Sequence, residues 1–346
     1  MKTDYDLRQG KKVYIISEAG INHNGSLHTA CDMVRTSADS GADAVKFQNY
    51  DTKDFIVDRS ITYTYKERGR KKTQSMWQLC RRCQMGKGWI EKLKKLCDCL
   101  GIDFLSTPTS KKGVDELIRA GVKMLKNGSD YLSHLPLLRY MSGFRLPIIL
   151  STGMAYEQDI REAVEAASAS GKTRVILLHC TSNYPAKADD VNLARMAALR
   201  QKFNLPVGFS DHTVGNAAAV QSVALGASII EKHFTLDRNM SGPDHWFSMT
   251  PSGLKAYVKD IREAEKRMGS ALICPAKNEM ACRQEFTLSL VAARRMKKGR
   301  RLGVKDILIA KPGTGIKPKD IDNVKGLALK VDIAKGAPIT WQDLAR

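Results

Sequence analysis

The chain has 346 residues, with 56 lysines and arginines against 36 acids and a formal net charge of +20. That length allows one large domain and a small one, and 43% apolar with 27% charged residues fits an ordinary globular composition. No apolar run approaches the roughly 18 residues of a membrane-spanning helix. The polar start Met1-Lys-Thr-Asp-Tyr-Asp6 does not read as a secretory leader, so a cytoplasmic location is expected and eight cysteines are expected as reduced thiols.

Short β-rich runs recur at Val13–Ser17, Ala44–Phe47, Asp103–Ser106, Met124–Lys126, Pro147–Leu150, Val175–Leu178, Pro206–Phe209 and Ser228–Ile230. Amphipathic segments of helical period lie between most of them: Leu27–Ser40, Trp89–Leu100, Lys111–Ala120, Glu157–Ser170 and Val191–Lys202, with Ser252–Met268 after the last. Eight strands alternating with helices over some 250 residues predict an α/β fold, a (β/α)8 TIM barrel. A doubly wound open sheet is the alternative, but no Gly-x-Gly-x-x-Gly follows the first strand. Barrel active sites gather at the C-terminal strand ends. Polar residues stand there on every strand: Glu18, Lys46 with Gln48, Thr107, Lys126 with Ser129, Ser151 with Thr152, His179 with Thr181, Ser210 with His212, and Glu231 with His233.

The triplets Ser210-Asp211-His212 and Glu231-Lys232-His233 end consecutive runs, so their histidines can share one divalent metal ion, with the flanking serine, lysine and carboxylates around it. Lys46 and Lys126, with the hydroxyls of Thr107, Ser129, Ser151 and Ser210, suit a phosphate or carboxylate. The basic clusters at 66–72, 92–95 and 294–301 are scattered and carry no interleaved aromatics, so they read as solvated surface, and no nucleic-acid or membrane partner is expected. Cys80-x-x-Cys83 with Cys97-x-Cys99 misses the usual zinc spacings, because residues two apart on a helix diverge.

The pattern changes after Gly269. Residues 1–270 are expected as the barrel, 271–283 as a linker, and 284–346 as a small β-rich domain. In that domain Met296-x-Lys-Gly299-x-x-Leu302-x-x-x-Asp306-Ile307 repeats as Ile333-x-Lys-Gly336-x-x-Ile339-x-x-x-Asp343-Leu344. Between the copies, the glycines of Lys311-Pro-Gly-Thr-Gly315 are expected to let backbone approach a ligand.

Seven ordered motifs then resemble one family: Ile16-Ser-Glu-Ala-Gly-Ile-Asn-His-Asn-Gly25, Val45-Lys-Phe-Gln48, Leu150-Ser-Thr-Gly-Met154, His179-Cys-Thr-Ser-Asn-Tyr-Pro185, Phe209-Ser-Asp-His-Thr213, Glu231-Lys-His-Phe-Thr235 and Gly242-Pro-Asp-His245. They are similar to the sialic acid synthases, and the tail from about Arg283 resembles their antifreeze-like (SAF) domain. The resemblance implies condensation of phosphoenolpyruvate with open-chain N-acetylmannosamine to give N-acetylneuraminate and phosphate. The same chemistry on another N-acylated hexosamine, giving legionaminic or pseudaminic acid, is the runner-up. A non-catalytic sugar-binding barrel is the third reading.

By resemblance, His212 and His233 hold the metal, Mn²⁺ in preference to Mg²⁺ or Co²⁺. Lys46, Thr107, Lys126, Ser129, Ser151 and Ser210 hold phosphoenolpyruvate, while Gln48, Tyr184 and Asp244 contact the sugar. Glu18 and Glu231, with Lys46, serve catalysis. The resemblance also implies a swapped homodimer in which Lys311 reaches the partner's sugar. Two departures from the family pattern bear on the acceptor: Asp130-Tyr131 replaces Gly-Glu/Asp after Lys126, and Lys311 replaces arginine.

Overall fold

The computed structural model describes residues 12–345, which form two compact units divided between Gly269 and Ser270. In the first, eight parallel strands make one sheet: β1 (Tyr14–Gly20), β2 (Ala44–Asn49), β5 (Asp103–Pro108), β6 (Leu125–Asn127), β7 (Ile148–Ser151), β8 (Val175–Cys180), β9 (Val207–Asp211) and β10 (Ile229–His233). Their order is β5-β2-β1-β10-β9-β8-β7-β6. The two end strands, β5 and β6, lie against each other and close the ring, so the fold is the expected TIM barrel. Two further strands, β3 (Thr62–Glu67) and β4 (Arg70–Ser75), form an antiparallel hairpin inserted after β2. The basic cluster of residues 66–72 is the tip of this hairpin.

Helices start where side chains satisfy the first free amides: Ser26 accepts from Thr29 N–H, Ser110 from Gly113 N–H, and Thr250 from Gly253 N–H ahead of Pro251. Each strand alternates between two burials. One face packs under the helices in a core that includes Ile15, Val45, Phe104, Leu150 and Leu177. The other fills the barrel with Tyr14, Ile16, Ala44, Leu105, Met124, Ile149, Ile176, Leu178 and Ile229. Inward residues one step toward the C-terminal end are therefore two places on, and this register positions the site.

Cys97 is buried and Cys99 exposed on the helix Trp89–Leu100, the divergence that their spacing requires. Among the described residues, no helix is long and apolar enough to cross a membrane.

In the second unit the two copies of the repeat pair with each other. Met296 and Ile333, at equivalent positions, exchange both backbone hydrogen bonds, at 2.9 and 2.8 Å. Asp306 and Asp343 close equivalent turns by accepting from Gly303 N–H at 3.0 Å and Thr340 N–H at 2.8 Å. Leu302 and Ile339 both enter the core. Two expectations need correction. Part of the expected linker is helical, because the helix Glu279–Phe286 begins inside it. The glycines of the 311–315 loop approach the unit's own chain: a Cβ at Gly313 would fall 1.9 Å from Thr287 Oγ1, and one at Gly315 2.8 Å from the Ile339 carbonyl. Close packing explains them without a ligand.

Candidate active site

Counting two places on from each inward apolar residue gives Glu18 (from Ile16), Lys46 (Ala44), Thr107 (Leu105), Lys126 (Met124), Ser151 (Ile149), Cys180 (Leu178) and Glu231 (Ile229), and Ser210 follows Gly208 in the same way. All eight are buried. Lys46 Nζ lies 2.8 Å from Glu18 Oε2, 3.7 Å from Glu231 Oε2 and 3.2 Å from Thr107 Oγ1. Lys126 donates to Ser151 Oγ at 2.6 Å and to the Asn127 carbonyl at 3.0 Å. Ser210 donates to Glu231 Oε1 at 3.0 Å. Two ammonium groups, two carboxylates and three hydroxyls thus form one layer on top of the apolar filling.

The two acids differ. Burial pushes Glu18 up to about 7, against the opposing pull of Lys46 and with Glu231 adding repulsion. Burial also acts to raise Glu231, but Lys126, Lys46 and the Ser210 hydroxyl outweigh it and bring the carboxyl down to about 2. Two carboxylates that share lysines cannot hold both charges equally well, so one keeps its charge and the other takes a proton near neutrality. Burial lowers Lys126, while at Lys46 the neighbouring Glu18 and Glu231 outweigh burial and raise it. An arriving anion would relieve the desolvation at Lys126.

One step further out stand the histidines. Their rings are 5.5 Å apart. His212 Nδ1 is 2.7 Å from the Thr181 carbonyl. That contact requires the proton on Nδ1 and leaves Nε2 with its lone pair. Nε2 is 3.3 Å from Ser210 Oγ. His233 Nδ1 is buried without a hydrogen-bond partner. Burial lowers both histidines, which favours the neutral ring at each. Neutral imidazoles, one fixed by a backbone carbonyl and one with an orphaned nitrogen, fit a divalent cation with two protein ligands. Among the described residues no cluster of three or more His, Cys, Asp or Glu side chains suits a metal.

Aromatic rings wall this pair. Tyr184 lies 4.2 Å from His212 and 5.5 Å from His233 between ring centres. Phe247 lies 5.3 Å from His233 and 5.2 Å from Tyr184. Asp244, three residues before Phe247, is pushed up to about 6 by burial. Gln48 pairs with Thr107 in register and shares the mouth with Glu18. A Cβ at Gly20, whose φ is +51°, would come 3.2 Å from Glu18 Oε1 and 3.7 Å from Gln48 Nε2, so glycine leaves both polar groups room. Ser129 accepts from Gly153 N–H at 3.0 Å, and its oxygen lies 3.1 Å from Cys180 Sγ.

Two expectations need correction. The middle residues of the triplets do not surround the metal pair. Asp211 and Lys232 face outward and meet each other at 3.0 Å, with Tyr257 donating to Asp211 at 2.9 Å. Strand alternation forces this: if 210, 212, 231 and 233 point in, then 211 and 232 point out. His179 also faces outward, against Phe209 and 2.6 Å from the Val191 carbonyl. The inward residue of β8 is Cys180, whose signal was its place two after Leu178. Phe247 had no signal in strand pattern, because it lies on a loop. Asp130 and Tyr131 occupy a short 3-10 turn, Ser129–Tyr131, where Tyr131 stacks between Phe55 and His134 at 6.2 and 5.8 Å. Lys311 lies in the second unit, 5.2 Å over the Phe286 ring.

A cavity of about 520 Å³ lies away from this centre, bounded by Asn49, Gln84, Lys87, Ser110, Glu116 and Arg119 among others. None of the layer residues or histidines lines it.

Comparison with known proteins decides the family. Residues 33–272 match the NeuB family, and residues 288–345 match the SAF domain. The chain belongs to the NeuB family. An N,N'-diacetyllegionaminic acid synthase from Legionella pneumophila is 38% identical, over 96% of this chain and 94% of its own. An N-acetylneuraminate-9-phosphate synthase from Drosophila melanogaster is 30% identical, over 96% and 97%. The crystal structure of an N-acetylneuraminic acid synthetase from Leptospira borgpetersenii, in complex with citrate, superposes with a TM-score of 0.70 at 32% identity, over 78% of this chain and 90% of that one. The NeuB match spans the barrel strands from β2 to β10, and so most of the layer and both histidines.

Proposed function

We propose that the protein condenses phosphoenolpyruvate with an open-chain N-acylated hexosamine to give a nine-carbon 2-keto sugar acid and phosphate. The observation that carries this is the charged layer of Lys46, Lys126, Glu18 and Glu231 directly beneath a neutral histidine pair. For the acceptor we favour a diacylated hexosamine over N-acetylmannosamine. The legionaminic acid synthase is nearer in sequence, at 38% identity, than the N-acetylneuraminate-9-phosphate synthase at 30%. Its named product carries two acetyl groups on nitrogen, and phosphoenolpyruvate contains no nitrogen, so both acylamino groups must come with the acceptor.

Lys46 and Lys126, with the Thr107, Ser151 and Ser210 hydroxyls and Ser129 at the rim, bind the phosphate and carboxylate. Gln48, Tyr184 and Asp244 hold the sugar. His212 and His233 would hold Mn²⁺, Mg²⁺ or Co²⁺, which when bound supplies Lewis-acid polarisation of the aldehyde. C3 of the enol phosphate forms a bond to the aldehyde carbon. Glu18, protonated below about pH 7, gives its proton to the developing alkoxide. Positive charge at C2 is met by the ionised Glu231. Water adds at C2 and returns a proton to Glu18. The adduct then collapses: the C2 hydroxyl becomes the ketone, its proton leaves with phosphate, and the C2–O bond to phosphate breaks.

Lys311 is proposed to reach the partner's acceptor in a swapped homodimer, the second unit capping the site against stray water. The test of the main reading is phosphate release with phosphoenolpyruvate, Mn²⁺ and a panel of acceptors. Release with the diacetamido hexose at higher kcat/KM than with N-acetylmannosamine supports it. Release with N-acetylmannosamine alone moves the assignment to N-acetylneuraminate, and release with neither favours a sugar-binding barrel.

A further inference from the structure

The β3–β4 hairpin lies outside the chemistry described so far, yet its contacts are directed at the loop that carries Asp244 and Phe247. Cross-strand pairing sets Tyr63, Tyr65, Glu67, Lys72 and Gln74 on one face of the hairpin. Glu67 ends that face at the hairpin tip, opposite Arg70. One oxygen accepts from Ser241 Oγ at 2.6 Å and from Gly242 N–H at 3.0 Å, and the other accepts from Lys72 Nζ at 2.6 Å. Arg68 Nε adds a bond to the Asn239 carbonyl at 2.8 Å, and Lys66 Nζ sits 5.2 Å over the Trp246 ring. Lys72, Ser241 and the Gly242 amide together bring the Glu67 carboxyl down to about 2, against the opposing effect of burial.

The loop needs this hold at one place above all. Gly242 has φ +152°, and a Cβ there would fall 2.9 Å from His245 Cδ2. On its far side the loop is pinned by His245, whose Nδ1 is 2.7 Å from Thr235 Oγ1 and whose Nε2 is 3.1 Å from Asn24 Nδ2. Between the two anchors, at Ser241–Gly242 and His245, lie Pro243 and Asp244. Phe247 lies two residues beyond His245 and meets the His233 ring edge-on at 5.3 Å between centres.

We propose that Glu67 is a positioning residue for the sugar side of the site, latching the hairpin to the 239–247 loop so that Asp244 and Phe247 meet the acceptor in one fixed geometry. The proposal rests on the function given above only for the identity of the acceptor. It also assigns a role to the basic tip: Lys66, Arg68 and Lys72 serve as fasteners for the loop and do not require a polyanion.

The test uses the full chain and the variant Glu67→Gln, whose amide turns an N–H₂ toward donors that need an acceptor. Two quantities are compared with wild type. In the absence of substrates, amide exchange of residues 239–247 should quicken about tenfold, the scale of a lost charge-assisted hydrogen bond, with the barrel strands unchanged. With Mn²⁺ and the best acceptor of the panel, KM for the sugar should rise about tenfold while KM for phosphoenolpyruvate stays within twofold. Arg68→Ala should move both in the same direction by less. Unchanged loop exchange in Glu67→Gln overturns the latch. Faster exchange with an unchanged sugar KM, or an equal rise in both KM values, overturns the positioning role. If the wild type turns over no hexosamine, the functional reading fails, and the exchange comparison still decides whether the latch exists.

Discussion

At the residue scale the site rests on two carboxylates with opposite fates. Glu18 and Glu231 share Lys46, yet burial leaves Glu18 near 7 and the lysines with Ser210 hold Glu231 near 2. If Glu18 works as the acid, kcat/KM should fall as pH rises through about 7, and Glu18→Gln should lose that limb with most of the rate. The same shift has a stability consequence. Glu18 binds its proton more tightly folded than unfolded, so its contribution is complete below about 4.5, the ordinary value, and is lost as pH rises through about 7. Thermal melts of the metal-free protein should show this loss between pH 5 and 7, and Glu18→Gln should not. The histidines make a separate prediction. Mn²⁺ should raise the melting temperature of the wild type, because a ligand bound only by the folded state stabilises it. In His212→Ala or His233→Ala that rise should vanish, while a rise that survives in both would place the metal elsewhere.

At the scale of the element the deciding fact is strand alternation. The eight strands, their order of appearance and the polar residue at each end were legible as apolar runs and punctuation. What a triplet such as Glu231-Lys232-His233 does not display is which of its three residues faces in. Counting from Ile229 resolves it, and sends Lys232 outward to Asp211 and Tyr257. These are buried partners behind the wall, so Asp211→Asn should cost about 3–5 kcal/mol of stability by leaving Lys232 uncompensated, measured by denaturant unfolding. Ser210→Ala, one residue away, should leave the unfolding midpoint nearly in place and raise KM for phosphoenolpyruvate. The hairpin was illegible for a different reason. Its strands read Thr-Tyr-Thr-Tyr-Lys-Glu and Arg-Lys-Lys-Thr-Gln-Ser, with charge where an alternating apolar face would announce a strand. Its partner is a loop whose position only the folded barrel defines. Phe247 was missed likewise, since a ring on a loop has no period.

At the scale of the whole molecule two compact units carry two kinds of symmetry. The barrel repeats a strand and a helix around a ring, and its buried layer of lysines, carboxylates and hydroxyls gathers at one rim. The second unit pairs two copies of one motif, visible in sequence as the spacing from Met296 to Asp306 and again from Ile333 to Asp343. In the proposed homodimer a chain ending at Gly269 should keep the barrel's circular dichroism and metal binding but lose most of its turnover. Full activity in that shortened chain would remove the capping role.

The account as a whole stands on carbon–carbon bond formation at C3 with loss of phosphate by C–O cleavage. Phosphoenolpyruvate labelled with ¹⁸O at the bridging oxygen, incubated with Mn²⁺ and the diacetamido hexose, tests both at once by mass spectrometry of the two products. The prediction is an unlabelled nine-carbon keto acid and labelled phosphate. Label retained in an organic product, or phosphate released with no nine-carbon acid formed, would contradict it.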